Sequence, residues 1–311
     1  MPLNTSTIGM PFRIRPDHSF TAEFRKAAGG QLSHAIRTLE ERPEGKHEAI
    51  HAFRKNLKRV RSLYRLVASE VSEFREHENA RLRDVAMSLS AIRDATALIE
   101  TAAYLKKNAR NTGEAKALGR IVAALESRRD HMADAEVDID RKLTKAPEVL
   151  RDAIAALEEV HFNGGPRRNA QLVAKGWRKT TLKARKAIEH CQAEASAEAF
   201  HTLRKRAQDY RAYHRLLRPL WPAAMKAKYE VTSSLIDLLG HIHDLDVLCA
   251  LVEAEPQHFP NADDLARLLD AIIFRQQEDR HAALERAEDV FADDPQEEAD
   301  RIELLWRAQV S

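Results

Sequence analysis

The stretch HAFRKNLKRVR, residues 51–61, and its partner HTLRKRAQDYR, residues 201–211, decide how this chain is read. Each opens on a histidine, and turning 100° per residue from it gathers cations along one side of a helix. In the first, Arg54, Lys55, Lys58, Arg61, Ser62 and Arg65 fall within about 80° of His51. Phe53, Leu57, Val60, Tyr64 and Val67 occupy the opposite face. In the second, His201, Arg204, Lys205, Gln208, Arg211 and Arg215 form the polar face over Leu203, Ala207, Tyr210, His214 and Leu217. The pattern predicts two helices of one design, each with a cationic ridge above an apolar floor.

The shift of 150 residues that carries His51 onto His201 works again further along. It lays LSAIRDATAL from Leu89 on LGHIHDLDVL from Leu239, matching Ile92 with Ile242, Asp94 with Asp244 and Leu98 with Leu248. One ungapped offset that matches charged and apolar positions together predicts a duplicated four-helix unit. The composition agrees with an all-α fold: Ala, Leu, Arg, Glu and Lys dominate, with only 10 Gly, 11 Pro and 6% aromatics among 311 residues. Pro, Gly and Asn punctuation and helical periodicity place helices at about 20–42, 46–69, 72–107, 114–143, 148–160, 168–191, 195–219, 223–254, 261–291 and 297–309. That is a four-helix unit over 1–145, and over 146–311 a connector helix, a second four-helix unit and a short acidic C-terminal helix.

The formal net charge is only +2, so the distribution of charge matters more than its sum. No acid stands between Glu48 and Glu70, where Arg54, Lys55, Lys58, Arg59, Arg61 and Arg65 all fall. Nor does any stand between Glu159 and Glu189, and the helix there carries a third stripe of Lys175, Arg178, Lys179, Lys183, Arg185 and Lys186. A solvated helix usually intersperses Glu at i±4, and like charges at that spacing cost about 0.2–0.5 kcal/mol per pair. Half a dozen such neighbours cost about 1–2 kcal/mol per helix unless an anion relieves them. The expected ligand is therefore anionic. Arg offers a fork and Lys a mobile point charge, a mixture suited to a chain of phosphates. Phe53, Tyr64, Trp177 and Tyr210 lie on core faces, which leaves no stacking platform for bases and argues against nucleic acid.

Cys191 and Cys249 match no metal-ligand or disulfide spacing, and no run approaches the ~18 apolar residues of a membrane span. With no apolar leader at the N-terminus, a cytoplasmic chain that does not engage membranes is expected.

At these residues the sequence resembles the CHAD (conserved histidine α-helical) domain family, whose signature H-x-x-R-K/V-x-x-K/R-x-x-R recurs. His51, Arg54, Lys55, Lys58 and Arg61 match its first occurrence; His201, Arg204, Lys205 and Arg211 match its second, with Gln208 where a base is expected. The family's L-G-x-L-R-D-x-D motif is similar to Leu89, Ile92, Arg93 and Asp94, and to Leu239, Gly240, Ile242, Asp244 and Asp246, with His243 in place of the arginine. The resemblance implies two antiparallel four-helix bundles related by a pseudo-twofold axis, with a basic cleft or channel between them. It implies a non-catalytic protein that binds inorganic polyphosphate without a cofactor and associates with polyphosphate granules and their proteins. The binding residues would be His51, Arg54, Lys55, Lys58, Arg61, Arg65, Lys175, Arg178, Lys179, Lys183, His201, Arg204, Lys205, Arg211 and Arg215. Arg93, Asp94, His243 and Asp244 would support them, the two aspartates by pairing with basic side chains. Relatives that carry a fused CYTH triphosphatase domain show an E-x-E-x-K motif; this sequence has none, and a stand-alone member is expected.

Two rivals remain on sequence grounds, a nucleic-acid-binding module and a helical metal-dependent phosphohydrolase. The latter would use His241, His243, Asp244 and Asp246 of HIHDLD. The shifted positions Ala91, Arg93, Asp94 and Thr96 argue against it, because arginine does not ligate a cation. Protonation of His51 and His201 in an anion's field is expected to tighten binding below about pH 6.5.

Overall fold

Ser19, Ser196, Asn261 and Asp294 each stand where a helix begins, and each accepts backbone N–H bonds on its side-chain oxygen, satisfying donors a helix start leaves open. The computed structural model describes residues 12–133, 137–259 and 261–310, without the side chains of 90–94, 131–133 and 137–139. Among these residues there are eleven α-helices and no strand. They are α1 (Phe20–Glu41), α2 (Lys46–Leu66), α3 (Ser72–Ser88), α4 (Ser90–Lys107), α5 (Thr112–Ala133), α6 (Val137–Ala156), α7 (Pro166–Glu194), α8 (Ala197–Leu216), α9 (Pro222–Ala254), α10 (Ala262–Val290) and α11 (Pro295–Ala308). None is long and apolar enough to cross a membrane.

The helix expected at 72–107 divides at Leu89. Ser88 donates its hydroxyl to the Val85 carbonyl, a local bond that competes with the helical ladder. Residues 222–254, by contrast, run as one helix of 33 residues. The connector helix expected at 148–160 does not stand alone, because α6 continues through Pro147. A mid-helix proline forfeits one backbone bond and crowds the preceding turn. Here Leu143, Ala146, Leu150 and Ala153 are buried along the α6 face packed on α1 and α3, and that burial holds the helix together across the proline.

Two apolar cores result. The larger joins Phe24, Phe53, Tyr64, Trp177, Phe200, Tyr210, Tyr213 and Trp306. The smaller joins Leu98, Ala102 and Leu105 of α4, Leu118 and Ile121 of α5, Leu245 and Leu248 of α9, and Leu268 and Ile272 of α10. Each core draws on helices from both sides of residue 145. Three acids of the C-terminal segment hold the fold together: Asp293 pairs with Lys228 at 2.7 Å, Asp294 caps α11, and buried Glu298 accepts the Tyr210 hydroxyl.

Candidate polyanion-binding cleft

Phe53, Leu57, Val60 and Tyr64 of α2 are fully buried, as are Leu203, Ala207, Tyr210 and His214 of α8. Burying the two apolar floors in one core, with α2 packed across α8 and α8 along α9, turns the two cationic ridges toward each other. Between them lies a cleft lined by Lys55, Lys58, Arg59 and Ser62 of α2, Gln208, Arg211, Ala212 and Arg215 of α8, and Tyr229 of α9. Among the described residues five cations meet there and no carboxylate lines it. The enclosed part is small, about 50 Å³. A ligand longer than one small group must therefore run along its open side.

The crowding of charge is visible in the ionisation of its members. Lys58 is solvent-accessible yet hemmed in by protein, as on the wall of a cleft. Burial, then Arg204, Arg54, Arg211 and Arg61, push its ammonium down to about 8. Burial, then Arg215 and Arg211, push Arg59 down to about 10, still charged at neutral pH. Its guanidinium is aimed without being neutralised, donating to Gln31 Oε1 at 3.0 Å and Asn56 Oδ1 at 3.1 Å. Burial raises the Tyr229 phenol, but Arg211, Arg215 and Arg59 outweigh it and draw it below its ordinary value. The Arg211 guanidinium lies 5.9 Å from the Tyr229 ring centroid. The cleft's one aromatic is thus covered by a cation.

Of the residues singled out by sequence, Lys55, Lys58, Arg211 and Arg215 line this cleft. Arg54 and Arg204 flank it in the field of Lys58, with Arg54 Nη1 donating to the Ala86 carbonyl at 2.7 Å. His201 stacks on His243 with ring centroids 4.8 Å apart, beside Lys205. His51 is exposed on the first turns of α2. Burial holds the Arg204 guanidinium below its ordinary value, and Asp244 partly opposes that pull. The side chains of Arg93 and Asp94 lie outside the described residues.

Other residues singled out by sequence lie elsewhere. Arg65 does not face the cleft as an unpaired cation: its Nε lies 3.0 Å from both carboxylate oxygens of buried Asp209, which also takes the Ser62 hydroxyl at 2.7 Å. Arg61 turns to Asn79 Oδ1 at 3.3 Å. Lys175, Arg178 and Lys179 line a separate groove between α7 and α11, opposite Asp300 and Glu303. The α7 helix is 29 residues long, and α11 docks beside it. Lys183 sits near Arg206 and Asp209 instead. The His201 imidazole starts from a lowered value in the unliganded protein. Burial, then Lys205, Arg204 and Lys58, hold its imidazole below its usual value, and His243 is pushed down to about 4.

Arg59, Tyr229 and Asp209 were missed. Arg59 stands in the acid-free run but at the edge of the helical face, and Asp209 is a lone acid among bases. Tyr229 carries no signal in sequence, because only packing of α9 on α8 brings it to the cleft. The HIHDLD residues fan around α9. His241 meets the Tyr104 ring, His243 meets His201, and Asp246 accepts from Gln276 at 2.7 Å and Arg280 at 3.1 Å. Among the described residues no three His, Cys, Asp or Glu side chains converge as a cation site requires.

No curated protein sequence matches the chain. The crystal structure of the CHAD domain from the plant Ricinus communis is similar to it, with a TM-score of 0.64 and 17% identity, covering 93% of this chain and 97% of that one. At that identity the likeness speaks for the fold. The CHAD domain family model matches residues 26–253, a span that contains both histidine-led helices and the whole cleft, and the chain belongs to the CHAD domain family.

Proposed function

We propose that the α2–α8 cleft binds inorganic polyphosphate without catalysing its turnover, and that this binding places the protein at polyphosphate granules. One observation carries the reading: Lys55, Lys58 and Arg59 face Arg211 and Arg215 across a cleft with no lining carboxylate. Desolvated like charges destabilise one another, and a chain of phosphates supplies the missing counter-charge along the whole opening. Arginine forks and lysine ammoniums together donate to phosphate oxygens from several directions. Membership of a family commonly associated with polyphosphate binding supports the same ligand. Arg211 lies over one face of Tyr229, where a base would otherwise stack, which favours phosphate chains over nucleic acid.

Calorimetric titration with polyphosphates of graded length tests this. Affinity is expected to exceed that for RNA at equal phosphate concentration. Arg211→Glu, with its helical circular dichroism intact, is expected to weaken binding at least tenfold, since a hydrogen bond to a charged group is worth about 1.5–3 kcal/mol. Unchanged affinity in that variant, or release of orthophosphate at a steady rate, would sink the reading.

A further inference from the structure

The open cleft has a counterpart at the 150-residue offset, formed by other residues of α2 and α8. Shifting its lining by 150 residues turns Arg211 and Arg215 into Arg61 and Arg65, Tyr229 into Asn79, Ala212 into Ser62 and Arg59 into Asp209. These counterparts also stand together. Arg61 Nε donates to Asn79 Oδ1 at 3.3 Å, much as Arg211 lies against Tyr229. Arg65 Nε is 3.0 Å from both Asp209 oxygens, and Ser62 Oγ is 2.7 Å from Asp209 Oδ1. From its own helix Asp209 also receives Arg206 Nη1 at 3.3 Å, and Lys183 of α7 lies within its field. The two clusters differ in sign at one position. Where the open cleft presents the Arg59 guanidinium, its counterpart presents a carboxylate that is 1% exposed.

Two guanidinium groups, a hydroxyl and a nearby ammonium are the donors a phosphate group would receive in such a place. Asp209 takes the hydroxyl and the guanidinium groups of Arg65 and Arg206, with the Lys183 ammonium in its field. With that carboxylate absent, Arg61, Arg65, Arg206 and Lys183 would confront one another just as the cations of the open cleft do. We propose that Asp209 is the built-in occupant of a second phosphate site, so that the chain presents one open polyanion site where its architecture provides two. The proposal rests on reading the open cleft as an anion site.

Asp209→Asn, with pyrophosphate as the probe, tests it. The natural protein is expected to bind one pyrophosphate and the variant two. In anion-free buffer the variant should melt lower, since Arg65 loses its charged partner. Pyrophosphate should raise its melting temperature more than that of the natural protein, because the ligand takes the carboxylate's place. If the variant is unfolded without anion, refolding by pyrophosphate but not by chloride at equal ionic strength is the same result. One site in both proteins with equal melting shifts overturns the inference and leaves the open cleft standing. No site in the natural protein and one in the variant would sink the polyphosphate reading but support the second site, and none in either would sink both. Arg59→Asp copies the internal carboxylate into the open cleft and should cost at least tenfold in affinity; unchanged affinity counts against Asp209 acting as a plug.

Discussion

Lys58 is where the chemistry of the cleft is most exposed to measurement. Its ammonium titrates near 8 in the unliganded protein because burial and four arginines oppose the charge. Phosphate oxygens reverse that opposition and hold the proton on, so above pH 8 binding must take up a proton. Affinity is then full below about pH 8 and falls as pH rises, by up to about tenfold per unit for one proton. Lys58→Arg should flatten this limb, and dissociation constants at pH 7, 8 and 9 measure it. Tyr229 adds to it in the same direction on losing its proton, and Tyr229→Phe removes that share. Stability runs the other way. Unfolding returns Lys58 toward 10.5, so the unfolded state binds more protons between about 8 and 10.5 and this group adds stability as pH rises. Weaker binding there is therefore not unfolding. Lys55, Lys58, Arg211 and Arg215 were legible because helical period alone puts them on one face. Arg59 and Asp209 were not, since each sits at the margin of that face and its neighbour across the cleft decides its role.

At the scale of the helix, two glycines that look alike in sequence predict opposite outcomes. Gly176 of α7 lies against the C-terminus of α2, where an added Cβ would stand 1.8 Å from the Leu66 carbonyl oxygen. Backbone cannot move aside as a side chain can. Gly176→Ala should therefore cost about 3 kcal/mol despite the ~1 kcal/mol of helix propensity it gains, and denaturant unfolding reads the loss. Gly29 of α1 would place its Cβ 3.6 Å from Leu157 Cδ1, an ordinary contact. Gly29→Ala should stabilise by about 0.5–1 kcal/mol. Gly240 is intermediate: an added Cβ would stand 3.3 Å from Arg204 Nη2, so a mid-helix glycine makes space for a cation. Expected helix starts fall within about two residues of those observed after Ser196, Asn261 and Asp294, each of which caps its helix. Element boundaries were not legible at Pro147 or Leu89, where burial on α1 and a serine hydroxyl respectively outweigh the local signal.

Over the whole molecule, a formal charge of +2 conceals a cleft of five cations, so binding should depend on salt far more than net charge suggests. Releasing counterions at five contacts gives a slope of about −3.5 in log K against log salt, by analogy with single-stranded nucleic acid. A slope near zero would mean the ridges do not act together. The sequence by itself determined the all-helical class, the apolar floors of α2, α7 and α8, and the presence of uncompensated cationic ridges. These follow from period and local charge, which neighbouring residues along one helix settle among themselves. Only the tertiary structure decided which ridges share a cleft. The α2 and α8 ridges meet because both floors enter one core, whereas the α7 stripe is drawn off toward Asp300 and Glu303 by the docking of α11. Electrostatic partnership depends on separation in space, and a residue 144 or more positions away along the chain, as Asp209 is from Arg65, comes within 3 Å only when the core has folded.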